Sequence, residues 1–478
     1  MSEPLYRQLT ACTSVLVGKK ATADGSTLIA RNEDSQAAWP KHLTIHPHQK
    51  LTTAPHFVSK DTGFSIDLPL EAAKYTATPE WTDEYGLFEE DGINEYGVAM
   101  SGTESAYSNS RVLGFDPYID NGIAEESMIT VVLPYVKTAR EGVARLGAIV
   151  SEYGTTESNG ILFSDVDEVW YLEIGSGHHW VAQRIPDDSY AVVANQLAIQ
   201  EVQFDQPDWF MTSDGIQDFV RDNHLWQADT PFNFRDIFGT KDQSDLVYNT
   251  PRVWYGQKLL TPSVAQQPQD FNLPFLRQAD APIQVEDVAR ILGSHYEGTV
   301  YDPIGHGTPQ EKHAFRPISL AKTQESHILQ MRPNLPVDVS GLHWLSMGIT
   351  AQSVYVPFYA GANDVPVNYQ KGTKDYSQDS IYWTYKLAGI LVDAHYAKFA
   401  KDLEQTQKHI NSLMVQNIVT TDQAVAAETD AVQRTMLMTK GSAKAAQLAQ
   451  HEMERLTAKL ITDSANLSPL NFTTDSNL

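Results

Sequence analysis

A single cysteine, Cys12, serves a chain of 478 residues. One thiol cannot close an internal disulfide, which excludes a disulfide framework and a cysteine-rich zinc site. Basic residues are also scarce: 35 Lys and Arg face 60 Asp and Glu, for a net charge of −25. That balance repels phosphate backbones and anionic lipid surfaces, so neither nucleic acid nor a membrane is expected as a partner. No run of about 18 apolar residues occurs, so no membrane span is expected. The opening residues, Met1 to Ala11, lack the apolar stretch of a secretory signal. A cytoplasmic location is the expectation. What is present is ordinary for a globular protein, with 42% apolar residues. That length and composition accommodate one large domain or two to three smaller ones, and exclude a fibrous or wholly disordered chain.

Hydrophobic periodicity organises the chain. Thr13–Gly18 and Thr27–Arg31 read as two β-type runs separated like a hairpin by the polar stretch Lys19–Ser26. His42–Pro47 alternates as a third, and Gly92–Ser101 reads as a turn followed by a strand. Apolar residues from Val132 to Val150 recur at helical spacing, predicting a helix over Thr130–Tyr153 that stops at Gly154. A meander of four β runs is expected next, at 160–164, 168–174, 180–184 and 190–195. Pro282–Gly293 reads as a short helix, and 298–317 as loop. Ser326–Met331 and Gly341–Pro357 are β-like, and Ser380–Ile461 is helical with a break near Thr420-Thr421. The fold class is α+β, with strands and helices in layers and a C-terminal helical hairpin.

Cys12 lies just before the first β run. A free cysteine in such a place is commonly a small buried hydrophobe. If residues 1–11 were removed, however, it would gain an α-amino group with a pKa near 8. Nucleophile and base would then share one residue, the N-terminal-nucleophile arrangement.

The series Ala11–Ala21, Asp24–Thr27 and Ala30–Asp34 resembles the start of the lactic-acid-bacterial dipeptidases of the cysteine N-terminal-nucleophile class, the dipeptidase A and secernin family (peptidase C69). The resemblance continues through Gly92–Ser105, Glu168–Asn195, Asn249–Trp254 and Asp379–Phe399, and so covers most of the chain in order. It implies a four-layer αββα sandwich and autocatalytic loss of the leader before Cys12. The expected domains are a leader 1–11, a catalytic domain 12–378, a helical region 379–463 and a frayed tail 464–478. Arg31 and Asp34 match an Arg-x-x-Asp element shared with bile-salt hydrolases and penicillin V acylases. Asp34 is then expected to accept a hydrogen bond from the Cys12 amine, and Arg31 to stabilise the thiolate; an ion-paired surface turn is the alternative. Asn195 corresponds to an oxyanion-hole asparagine, or is a strand-end turn residue. Arg252 corresponds to a second arginine near the nucleophile, or binds the substrate carboxylate through its fork. Where relatives carry a second oxyanion asparagine, this chain has Thr103-Glu104-Ser105. Glu104 is a candidate to bind a substrate ammonium.

Other groupings carry less. His42, His46 and His48 share strand parity, but Pro47 interrupts them and no carboxylate pair accompanies them, so no metal site is expected. His451-Glu452-Met453-Glu454 lacks the second histidine of a zincin. Gly305-His306-Gly307 is loop, and Met436 and Met438 fit a core or subunit interface better than a cofactor box. The leading expectation is a cofactor-free dipeptidase acting on small dipeptides, with a homo-oligomer in view from the Ala-rich helical tail. The alternatives are a non-peptide amidase of the bile-salt or penicillin acylase kind, and a secernin-like non-catalytic regulatory protein.

Overall fold

A computed structural model describes residues 11–227, 229–468 and 470, apart from the side chains of Ala11, Thr103 and Glu104. Nearly all of the expected leader and most of the expected tail lie outside that range. The chain is a mixed α+β fold built on two antiparallel sheets.

The seven-stranded sheet has β1 (Ala11–Val17) and β2 (Thr27–Asp34) near its centre. Strands 190–193 and 276–277 extend it beyond β1, and strands 323–331, 341–347 and 356–359 extend it beyond β2. The six-stranded sheet runs 210–212, 180–185, 169–174, 158–164, 99–106 and 91–93. β1 and β2 pack against its 99–106 strand. Helices Glu125–Val132 and Ala139–Tyr153 lie on the six-stranded sheet, while Thr250–Leu260, Val285–Leu292 and the C-terminal helices pack on the seven-stranded one.

Period-two alternation sorts the side chains of β1 and β2 between two cores. Val15, Val17, Leu28 and Ala30 face the helices over the seven-stranded sheet, while Leu16 and Ile29 face the other sheet. A third core lies beneath helices 125–132 and 139–153.

Three expectations about elements are corrected. The fourth run of the meander leaves it: strand 190–193 pairs with β1 in the other sheet. The helix expected over Thr130–Tyr153 is two helices separated by a short 3₁₀ turn at Leu133–Tyr135, where Pro134 removes a backbone donor. The C-terminal break falls after Ala426, not at Thr420-Thr421, and Asp430 caps the next helix. There Gly441 gives close approach, since a Cβ would lie 2.6 Å from the Thr421 side chain. The hairpin is thus helices Tyr396–Ala426 and Ala431–Ala465, preceded by Ile381–Ala394.

Candidate active site

The site grows from the register of β1 on β2, in which Cys12 pairs with Glu33 and Ser14 with Arg31. Strand parity sends Cys12, Arg31 and Glu33 to the face between the sheets. Arg31 Nη1 lies 3.2 Å from Cys12 Sγ, and the thiol lies 3.4 Å from Glu33 Oε2. All three residues are buried.

Around Arg31 stand three buried carboxylates. It donates to Glu33 at 2.7 Å, Glu90 at 2.5 Å and Glu125 at 3.3 Å. Lys41 reinforces Glu90 at 2.6 Å and reaches Glu80 at 3.7 Å. Burial opposes the charge on Arg31, but Cys12 and the surrounding carboxylates outweigh it and hold the guanidinium well above its ordinary pKa. The carboxylates divide according to cation supply. Burial also works against Glu90, yet Lys41 and Arg31 together keep it below its ordinary value. Burial, with repulsion from Glu90, pushes Glu33 up to about 8. It raises Glu125 well above the usual range, with Glu90 and Glu33 adding to the effect. Glu125 heads a helix, where the dipole favours an anion, but desolvation is the larger effect.

Glu33, Glu90 and Glu125 form the one grouping of potential metal ligands among the described residues, with oxygens within 4.8 Å of one another. The Arg31 guanidinium already donates to all three, so it holds the position an ion would take. The histidines weighed for zinc go to separate partners: His46 to Glu89 at 2.5 Å, and His48 to Glu95 at 2.5 Å. Burial, with help from Lys41, depresses His42 to about 4.

Asn195 follows strand 190–193 and joins the site from the other flank of β1. Its Oδ1 accepts from the Cys12 backbone nitrogen at 3.3 Å and from Arg252 Nη2 at 2.7 Å, and its Nδ2 donates to the Ser105 carbonyl at 2.8 Å. Arg252 is fully buried and donates to the Cys12 carbonyl, to Thr13 Oγ1 at 2.9 Å and to Asn249 Oδ1 at 2.7 Å. Its fork thus braces the start of β1 and Asn195.

Asp34 differs from the expectation of a bond to the Cys12 nitrogen. Residues three apart in a strand project to opposite faces, so Arg31 and Asp34 part company. The Asp34 carboxylate accepts from Arg316 Nη2 at 2.5 Å and from the Thr323 hydroxyl. Glu104 pairs with Gly160 through its backbone, and its side chain lies outside the described residues. Sequence reasoning overlooked Glu33, Glu90, Glu125, Lys41, Thr13 and Arg316. Strand parity, which places Glu33 on the Arg31 face, was the one signal available for any of them.

A model of peptidase family C69 matches residues 11–409. The chain is 46% identical over 477 residues to a "Probable dipeptidase" of Latilactobacillus sakei, covering 98% of this chain and 99% of the relative. It is 40% identical to a "Probable dipeptidase A" of Streptococcus pyogenes serotype M3, covering 96% and 98%. It is 38% identical to "Dipeptidase A" of Lactobacillus helveticus, covering 82% and 84%. The chain is a peptide-bond hydrolase, and it belongs to peptidase family C69.

Proposed function

We propose that the chain is a dipeptidase whose nucleophile is Cys12, exposed by autocatalytic loss of residues 1–11, on a four-layer αββα frame. The observation that carries this reading is the Cys12 thiol 3.2 Å from the buried Arg31 guanidinium, with Asn195 at its backbone nitrogen. The dipeptidase names of the relatives support the substrate class.

In the precursor, Cys12 Sγ attacks the Ala11 carbonyl, and the resulting thioester is hydrolysed to leave an α-amine on Cys12. In the mature enzyme that amine donates to Asn195 Oδ1, which leaves its lone pair to take the thiol proton. Arg31 favours the thiolate. Sulfur attacks the scissile carbonyl, and the second N–H of the Asn195 amide is the donor assigned to the oxyanion. The protonated amine supplies its proton to the departing amino acid. Water then attacks the thioester, and the thiol is regenerated. Arg252 holds the strand and Asn195 in place, and Asp34 acts through Arg316. No metal enters the scheme, so activity is expected to survive EDTA.

The carboxylates supply the logic for a dipeptide. Its ammonium lies about 2.5 Å from the scissile carbonyl carbon, one Cα away. Glu33 lies 3.4 Å from the thiol and Glu125 shares Arg31 Nη1 with it, and both have less cation than Glu90, so an arriving ammonium adds to their charge balance. Glu104 remains a further candidate for the same group.

A substrate panel tests this. Free dipeptides are expected to be hydrolysed about 100-fold or more efficiently than their N-acetyl forms, because an acetyl group brings no positive charge to carboxylates that share one arginine. Glu125→Gln is expected to raise KM for the free dipeptide more than it lowers kcat. Faster release of long or aromatic acids from N-acyl substrates would replace this reading with the amidase. No hydrolysis of any amide would favour the regulatory protein.

A further inference from the structure

On the face of β1 opposite the thiol, two arginines converge on one hydroxyl. Thr13 is fully buried. Its Oγ1 accepts from Arg252 Nη1 at 2.9 Å and from Arg316 Nη1 at 3.4 Å. The guanidinium carbons of Arg252 and Arg316 lie 5.0 and 5.3 Å from the ring centroid of Tyr248. The two like charges therefore share one aromatic ring as well as one acceptor. A hydroxyl has two lone pairs, enough for both arginines.

The anchors of the two arginines differ. Arg252 comes from helix Thr250–Leu260 and is tied to Asn249, Asn195 and the Cys12 carbonyl. Arg316 comes from the loop before strand 323–331. It is tied to Asp34 at 2.5 Å and to the Pro317 and Ile318 carbonyls at 2.8 and 3.3 Å. Asp34 ends β2, directly across from Ala11. The two residues that flank the bond to be cut in leader removal are thus each tied to one arginine: Ala11 pairs across the strand with Asp34, which Arg316 holds, and the Cys12 carbonyl accepts from Arg252.

We propose that Arg316 is a positioning residue for the nucleophile. The line Asp34–Arg316–Thr13, closed by Arg252 and Tyr248, fixes the Cys12 backbone so that Sγ can approach the carbonyl it attacks. This rests on the reading of Cys12 as nucleophile and adds a route by which Asp34 serves the reaction without touching it. A displacement of the attacking atom by about 1 Å is enough to slow a reaction about 100-fold. Arg316 acts on geometry, so its loss is felt in kcat and leaves substrate affinity in place.

The test uses the full chain and three variants: Arg316→Gln, Thr13→Val and Thr13→Ser. Leader loss is followed by intact mass over time. kcat and KM are measured with a neutral dipeptide across pH, with thermal melting as a folding check. Arg316→Gln and Thr13→Val are expected to slow leader loss and to lower kcat at least about 10-fold. KM stays within about 2-fold, and the pH midpoint does not move. Thr13→Ser restores the acceptor and with it the rate. The double variant Arg316→Gln/Thr13→Val is expected to be no worse than the poorer single one, because both remove the same link. Should Arg316→Gln fail to fold, Arg316→Lys, which keeps a charge for Asp34 but loses the fork that also reaches Thr13, takes its place and is expected to show the same loss in kcat. Wild-type rates in folded Thr13→Val, or a loss expressed in KM alone, would overturn the proposal. An active wild type with unaffected variants refutes this inference alone. A wild type that neither loses its leader nor cleaves dipeptides refutes the reading beneath it, and the inference falls with it.

Discussion

At the Cys12 thiol, the charge that matters is carried by Arg31. The guanidinium is fully buried and serves three carboxylates as well as the sulfur. Lysine in its place keeps a positive charge but loses the planar fork that reaches several acceptors at once. For Arg31→Lys, the pH midpoint of Cys12 alkylation by iodoacetamide is expected to rise by about one unit, with kcat falling in parallel. An unchanged midpoint would show that Arg31 does not tune the thiol. Cys12, Arg31, Asn195 and Arg252 are candidates from the sequence alone, and the fold gathers them at one end of β1. Asp34 was legible as a residue but not in its contacts, because an Arg-x-x-Asp spacing read along a strand sends the two side chains to opposite faces. Glu90 and Glu125 were out of reach, lying 59 and 94 positions from Arg31. Each sits among other acidic residues that give no hint of burial.

Among the elements, the segment that carries Asn195 is held from the neighbouring sheet. Glu173, on strand Val169–Ile174, accepts from the backbone nitrogens of Ala198 at 2.6 Å and Ile199 at 3.0 Å. Burial pushes its carboxyl up to about 8, even though those bonds pull the other way. A free glutamate titrates near 4.3. Between those values the folded protein holds a proton that the unfolded chain has released. The stabilisation is therefore complete below about pH 4 and is lost as the pH rises through about 8. Glu173→Gln removes this titration, so melting temperature plotted over about pH 5 to 8 is expected to fall less steeply than in wild type; equal slopes would contradict the assignment. Alternation found β1 and β2 well, because each face of those strands meets an apolar core. It did not show that strand 190–193 crosses to the other sheet, since a strand buried on both faces reads alike in either place. The helical break was misread at Thr420-Thr421 because β-branched residues are weak helix formers. In the fold, the Thr420 hydroxyl bonds back to the Gln416 carbonyl at 2.8 Å, and Thr421 packs at Gly441, so the helix runs on.

Across the whole molecule, the two sheets and their helices converge on the start of β1. The C-terminal hairpin is fastened to the seven-stranded sheet through Arg332 and Asp422 at 2.6 Å, and through Arg434 and Asp338 at 2.9 Å. The net charge of −25 leaves positive charge to be spent selectively, and four buried cations, Arg31, Lys41, Arg252 and Arg316, stand within or beside the site. No described helix is long and apolar enough to cross a membrane. The architecture is thus arranged around one residue, Cys12, and the proposed chemistry requires that residue to free its own amine. The most direct measurement is the intact mass of the purified wild-type chain beside Cys12→Ala, both expressed from Met1. Wild type is expected to lack residues 1–11, and the variant to retain them. If both chains keep the leader, or both lose it, Cys12 does not cut before itself, and the autocatalytic nucleophile is contradicted.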